Sequence, residues 1–283
     1  MRHLRLRADE AGGDERERGD GDLSDAFHGV TIVPTTRRTY TVGADSFFRM
    51  RPSGQVCRRR ARERGAMSET YVALPAGGKA PAILLLPPVF GIEPVIRELA
   101  NRYASRGFVV AVPNQFRRDA EPGVMERTAE GRARALARAE RVDVEQIVDD
   151  VRDEVAALRA MPQCTGKVGV VGFCFGGRYA FLAAARLGVD AAAAFHPVRI
   201  GVSLADAPRV RVPLSLHFGA DDPLTPPSEV EAVTAALRGR SDAEVFSYPG
   251  ATHNFAIPTE RAYDPAVAKL SEDRAFALFD RLK

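Results

Sequence analysis

Residues 168–177 constrain the fold more than any other stretch of the chain. The apolar run Val168-Gly169-Val170-Val171 leads into Gly172-Phe173-Cys174-Phe175-Gly176-Gly177, and an alanine-rich segment follows to Leu187. A short apolar run bounded by turn residues reads as a strand buried on both faces. The segment after it reads as a helix. Joining the two through a glycine-rich hexapeptide requires a tight turn with one side chain at its apex. The neighbours of that apex must be small, which accounts for Gly172 and Gly176, while Gly177 lets the helix lie close to the sheet. Cys174 occupies the apex. A thiol at a helix N-terminus meets unpaired backbone amides and the positive end of the helix dipole, both of which favour the nucleophilic thiolate. The competing reading is a small buried cysteine at a glycine-rich turn.

The sequence after Met67 alternates strand and helix. Thr70–Pro75 and Pro81–Leu86 read as strands, and Pro94 opens a helix reaching about Arg106. Gly107 ends that helix, and Phe108–Val112 is the next buried strand. Arg127–Met161 is charged and helical in period, with an expected break near Val142-Asp143. Strand Lys167–Val171, helix Phe175–Leu187, strands Asp190–Phe195 and Pro213–Phe218, helix Ser228–Leu237, strand Ala243–Tyr248 and a closing helix from about Pro265 complete the pattern. Such alternation predicts an α/β fold, a mostly parallel central sheet with helices on both faces.

Two later segments bear on the chemistry. Strand Pro213–Phe218 runs into Asp221-Asp222-Pro223-Leu224-Thr225-Pro226, and the last strand runs into Thr252-His253-Asn254-Phe255. Each could be a capping or loop residue taken alone. Together, a nucleophile, an acid and a histidine follow successive strands in the chain order of α/β-hydrolases, at the edge of the sheet where ligands bind.

These segments resemble the dienelactone hydrolase (carboxymethylenebutenolidase) family, a branch of the α/β-hydrolases. The likeness rests on Gly172–Gly177, Asp222-Pro223-Leu224-Thr225-Pro226, Thr252-His253-Asn254-Phe255, and Val89-Phe90-Gly91 followed by a helix and a Gly-Phe-containing strand. It extends from about Met67 to the C-terminus. It implies a triad of Cys174, His253 and Asp222 rather than Asp221, with backbone amides of Val89 and Phe175 forming an oxyanion hole. It implies hydrolysis of a small-molecule ester or lactone through a thioester, with no metal and no organic cofactor. The family pattern has a glutamate before Val89, where this chain has Pro88, and Glu93 is weighed as its substitute against a helix-start carboxylate. The position four after His253, where the family pattern has an arginine for a substrate carboxylate, is Ile257. His196, at the end of Ala191–Phe195, is weighed as a pocket residue against a structural histidine. Arg117 and Arg118 are weighed as attractors of an acidic substrate against solvated surface. Cys164 and His217 read as structural. A thioesterase-like acyl hydrolase and a non-catalytic binding protein on the same scaffold stay open. A glutamine amidotransferase is disfavoured because no acid follows His253 at the required spacing.

Composition narrows the remaining classes. Residues 1–66 hold 14 Arg, no Lys and 10 acidic residues, and the remaining 217 hold 26 basic and 27 acidic ones. The basic balance therefore belongs to the front segment, which reads as a tail or as translated sequence upstream of a start at Met67. A hydrolase domain over 67–283 has no basic stripe for nucleic acid. Three cysteines without a CxxC pair argue against disulfides and structural zinc. No run is long enough for a membrane span and the N-terminus lacks an apolar signal region. A cytoplasmic monomer or small homo-oligomer is expected, with no membrane and no nucleic-acid partner.

Overall fold

The computed structural model describes residues 58–59 and 68–283. The tail expected over 1–66 lies outside the described residues, apart from Arg58–Arg59. Those two residues form β1, which pairs antiparallel with the start of β2, Ser68–Ala73. The other strands are β3 Ala80–Leu86, β4 Val109–Pro113, β5 Cys164–Phe173, β6 Ala191–Phe195, β7 Leu214–Gly219 and β8 Ala243–Tyr248. They line up as β1-β2-β4-β3-β5-β6-β7-β8. β2 runs antiparallel to β4, and every pairing from β4 to β8 is parallel.

The strands carry apolar side chains to both faces with a period of two. Leu84, Leu86, Val168, Val170, Ala192 and Ala194 belong to one core, and Ile83, Leu85, Val171, Phe173, Ala193 and Phe195 to the other. The first core is closed by α3 (Val144–Arg159), α4 (Phe175–Arg186) and α5 (Pro227–Ala236), and the second by α1 (Pro94–Ser105) and α6 (Pro265–Phe279). Helix α2 (Ala129–Arg141) is separated from α3 where the sequence predicts a break. Val142 turns to extended backbone, and the Asp143 carboxylate accepts from the N–H groups of Glu145 and Gln146 at 2.9 and 3.4 Å, an N-cap that starts the next helix.

Two features were absent from the sequence pattern. β5 begins three residues earlier than expected, because Cys164 pairs with Ala80 across an irregular register and the intervening Thr165-Gly166-Lys167 is exposed and polar. A 3-10 helix over Gly201–Arg209 contains Pro208 and has no apolar period to announce it.

The topology sets the site. Parallel strands put the ends of β3, β5, β6, β7 and β8 on one edge, so the loops carrying Val89, Cys174, His196, Asp222 and His253 emerge together. The chain leaves β3 toward β4 in one direction and β5 toward β6 in the other. The crevice between β3 and β5 is the switch point at which open sheets bind ligands.

Candidate active site

The turn after β5 leaves no space. A Cβ on Gly172 would stand 2.2 Å from the Gly176 carbonyl oxygen, and one on Gly176 would stand 2.2 Å from the Leu86 carbonyl oxygen. Both obstacles are backbone. Cys174 caps α4 with φ 52° and ψ −115°, a region that L-residues rarely adopt, and its N–H donates to the Phe195 carbonyl at 3.0 Å. The strained turn holds the thiol at the front of the helix, within the crevice.

His253 stands opposite. Its Nε2 is 3.1 Å from Cys174 Sγ, and its Nδ1 is 2.7 Å from Asp222 Oδ2. Asp222 is buried, and its other oxygen accepts from the Leu224 N–H at 2.8 Å. Asp221, its neighbour in the chain, is exposed. Burial lowers the pKa of His253, but the hydrogen bonds to Asp222 and Cys174 and the charges of both outweigh it and push the pKa up to about 10. At neutral pH this is an imidazolium between two acceptors.

Val89 and Phe175 line the same cavity as Cys174 and His253. The Phe175 N–H opens α4, one of the amides a helix leaves unpaired. The loop bearing Val89 is held peptide by peptide. Gly91 N–H donates to the Pro88 carbonyl at 3.0 Å, and Met125 N–H donates to the Phe90 carbonyl at 3.0 Å. Arg138 Nη2 donates to the Val89 carbonyl at 2.5 Å. Because a trans peptide points its C=O and N–H oppositely, the bond at Pro88 O turns the Val89 N–H away from the loop's interior. Arg138 is fully buried and also donates to the carbonyls of Glu121 and Gly123 at 2.9 and 2.6 Å. Its guanidinium lies 3.9 Å over the Phe116 ring, which stacks on Phe175 at 5.1 Å. Burial pulls its pKa down to about 10. Arg138 thus braces the Val89 loop directly and Phe175 through one aromatic ring, a role with no local sequence signal.

Three residues weighed for the pocket lie outside it. Arg117 donates to Asp150 on α3, with Nε at 2.9 Å, and does not face the cavity. Glu93 is buried under Arg127, which binds both its oxygens at 2.7 Å, so it is committed to an ion pair rather than to the thiol. The same guanidinium pairs with Glu260. His196 packs behind His253, with rings 5.1 Å apart and edge-on, and neither of its ring nitrogens has a hydrogen-bond partner. Burial and the neighbouring His253 charge hold its pKa well below the ordinary value, so it is neutral. His217 is also enclosed, between Tyr248 and Ser215.

The cavity has a volume of about 260 Å³, and sequence reasoning missed much of its wall: Arg132 and Leu136 on α2, Arg178 on α4, Arg199 after β6, and Glu260. Arg178 had a usable signal, since it sits one helical turn after Cys174. Arg132 and Leu136 had none, because the charges of α2 read as a solvated face. Among the described residues, no cluster of His, Cys, Asp and Glu has metal-ligating geometry, and no helix is long and apolar enough to cross a membrane.

Comparison with known proteins gives a consistent result. A family model described as the dienelactone hydrolase family matches residues 68–283. A putative carboxymethylenebutenolidase of Azospirillum brasilense is 32% identical over 215 residues, 74% of this chain and 91% of the relative. The carboxymethylenebutenolidase of Pseudomonas putida is 30% identical over 205 residues, 72% of this chain and 86% of the relative. Among solved structures, a putative dienelactone hydrolase from Klebsiella pneumoniae subsp. pneumoniae superposes with a TM-score of 0.70 at 24% identity, covering 80% of this chain and 98% of that one. At that identity the likeness speaks for the α/β-hydrolase fold.

Proposed function

This chain belongs to the dienelactone hydrolase family, and from that premise we propose that it hydrolyses a small carboxylic ester or lactone with Cys174 as nucleophile, His253 as proton carrier and Asp222 as the group that orients the imidazole. The single observation that carries this reading is the unbroken contact from Cys174 Sγ through His253 to the buried Asp222, at 3.1 and 2.7 Å. His253 Nε2 takes the thiol proton across this contact, which leaves the imidazolium standing against the sulfur. Pro88 offers no carboxylate that could take the thiol proton instead.

The thiolate attacks the acyl carbon, and the carbonyl oxygen takes the negative charge. The N–H groups of Val89 and Phe175 donate to that oxygen. The tetrahedral intermediate collapses, its C–O bond to the alcohol breaks, and His253 Nε2 gives its proton to the departing alkoxide. The product remains as a thioester on Cys174. His253, now neutral and held by Asp222, takes a proton from water as the water attacks the thioester, and the second collapse releases the acid and restores the ion pair. A lactone gives one open-chain hydroxy acid in place of two products. Thioester hydrolysis is the demanding step, so activated and ring-strained esters are the favoured substrates.

The test is incubation with p-nitrophenyl acetate, dienelactone and short thioesters, followed by intact mass measurement. The wild type is expected to release p-nitrophenol and carry a transient acetyl adduct. Cys174→Ala is expected to lose at least ~10³-fold in turnover and all of the adduct. Turnover by Cys174→Ala at the wild-type rate, or acylation of Cys164 instead, removes Cys174 from the mechanism.

A further inference from the structure

We propose that the cavity beside Cys174 is an acyl subsite for an uncharged apolar arm of about six carbons, so that the preferred substrate is a medium-chain aliphatic ester. This deepens the hydrolase reading above and rests on it. The subsite is built by Leu136, Ala139, Val142, Val144, Tyr179 and Val198, which belong to α2, the α2–α3 turn, α3, α4 and the loop after β6. Leu136 and Ala139 are three apart on α2 and share a face. Tyr179 follows Phe175 by one turn of α4, and their rings are in contact at 5.1 Å, so apolar surface runs from the nucleophile into the lobe. The Tyr179 hydroxyl is neutral, because burial pushes its pKa up to about 12.

Exposure points to the same use. Leu136 is 51% exposed and Leu224 is 55% exposed, and both are cavity-lining residues, one on α2 and one near Asp222 in the chain. Large apolar side chains left in water at the mouth of an apolar cavity gain by being covered, and a ligand arm passing between them covers both. One pair of the wall's charges is matched within the wall, and the others have partners of other kinds. Arg199 donates to Glu140 at 2.9 Å, Glu260 is held by Arg127 and by Asn254, and Arg132 lies over the Phe90 ring. Arg178 donates to the Ser203 hydroxyl at 2.9 Å. At about one water volume per ligand atom, ~30 Å³, the cavity takes roughly eight or nine non-hydrogen atoms. That fits an ester carbonyl and an arm of about six carbons.

The experiment measures kcat/KM for p-nitrophenyl acetate, butanoate, hexanoate and dodecanoate, and for the hexanoate analogue ending in a second carboxylate. Each methylene entering the lobe is expected to raise kcat/KM by up to about fourfold, giving a hexanoate-to-acetate ratio above ten and a fall at dodecanoate. Ala139→Phe fills the lobe and moves the optimum to acetate or butanoate. Leu136→Asn, on an exposed position that tolerates change, lowers the hexanoate-to-acetate ratio severalfold. A flat or falling series from acetate to hexanoate, with acetate turned over, overturns the apolar subsite and leaves the hydrolase reading standing. So does a carboxylate-tailed ester that outruns hexanoate, since the wall would then be reading charge through Arg178. If no ester is turned over, the hydrolase reading fails, and calorimetry on Cys174→Ala with ethyl hexanoate and ethyl acetate decides the subsite separately. Tighter binding of the hexanoate supports it, and equal affinity refutes it.

Discussion

The two walls of the crevice hold Cys174 and the Val89 loop by opposite means. The wall from β5 and α4 is rigid because there is no room: Gly172 and Gly176 are pressed against backbone carbonyls, and Cys174 is fixed by what surrounds it. The facing wall, Pro88–Gly91 with α2 behind it, is rigid because it is tied, chiefly by a buried guanidinium that collects three carbonyl oxygens. Close packing tolerates no added atom, whereas a hydrogen-bonded brace tolerates changes in size but not the loss of its donors. A buried cation with no carboxylate partner is a costly brace. Its retention beside the Val89 loop is consistent with a positioning duty.

The comparison breaks most sharply at Gly176. In Gly176→Ala the new Cβ has only the Leu86 backbone to displace, so the expected outcome is a destabilisation of more than ~4 kcal/mol or failure to fold. A melting curve within a few degrees of the wild type would show that the elbow has slack. Arg138→Met keeps the volume and removes the donors. With carbonyls left unsatisfied at about 1–3 kcal/mol each, offset by removal of a buried charge, the net expectation is a loss of about 3 kcal/mol. Its kcat on a small ester is expected to fall at least ~10-fold with KM little changed, because the misplaced amide matters only once the oxyanion forms. Arg138→Lys should recover part of kcat, and a uniform rise in KM instead would make Arg138 a packing residue only.

A third expected effect is a pH dependence centred on His253, which bridges to the elbow's thiol. His253 has a native pKa of about 10 against an unfolded value of about 6.5. A raised pKa stabilises fully below the unfolded value, so this contribution is complete below pH ~6.5 and drains away as pH climbs toward 10. The melting temperature of the wild type should exceed that of His253→Gln most at pH 6, with the gap closing by pH 10. A gap that widens with pH would deny the imidazolium.

The same contrast explains what could be read in the residues. The elbow wall was legible because its constraints are local: a strand, glycines at set positions, a thiol and a helix within twenty residues. Asp222 and His253 were legible because each follows a recognisable strand. The tied wall was not. Arg138 reaches a carbonyl 49 positions away, and its helix looks like any arginine-rich solvated surface. Arg117 was weighed for the site because it follows a strand end and Glu93 because it lies near Pro88, yet they are claimed by Asp150 and Arg127, partners that only the tertiary arrangement reveals. The cavity's apolar lobe escaped notice for the same reason. It is assembled from five segments, none of which is unusual alone.

Arg127 joins stretches that are far apart along the chain. One guanidinium answers both to Glu93, at the start of α1, and to Glu260, which in turn receives the amide of Asn254, the residue after His253. The loop that carries the imidazole is thereby moored to the opposite bank of the crevice. A long connection between strand and helix would ordinarily let such a ring wander. Here any drift must drag a helix entrance with it, so the imidazole keeps its alignment between Cys174 Sγ and Asp222.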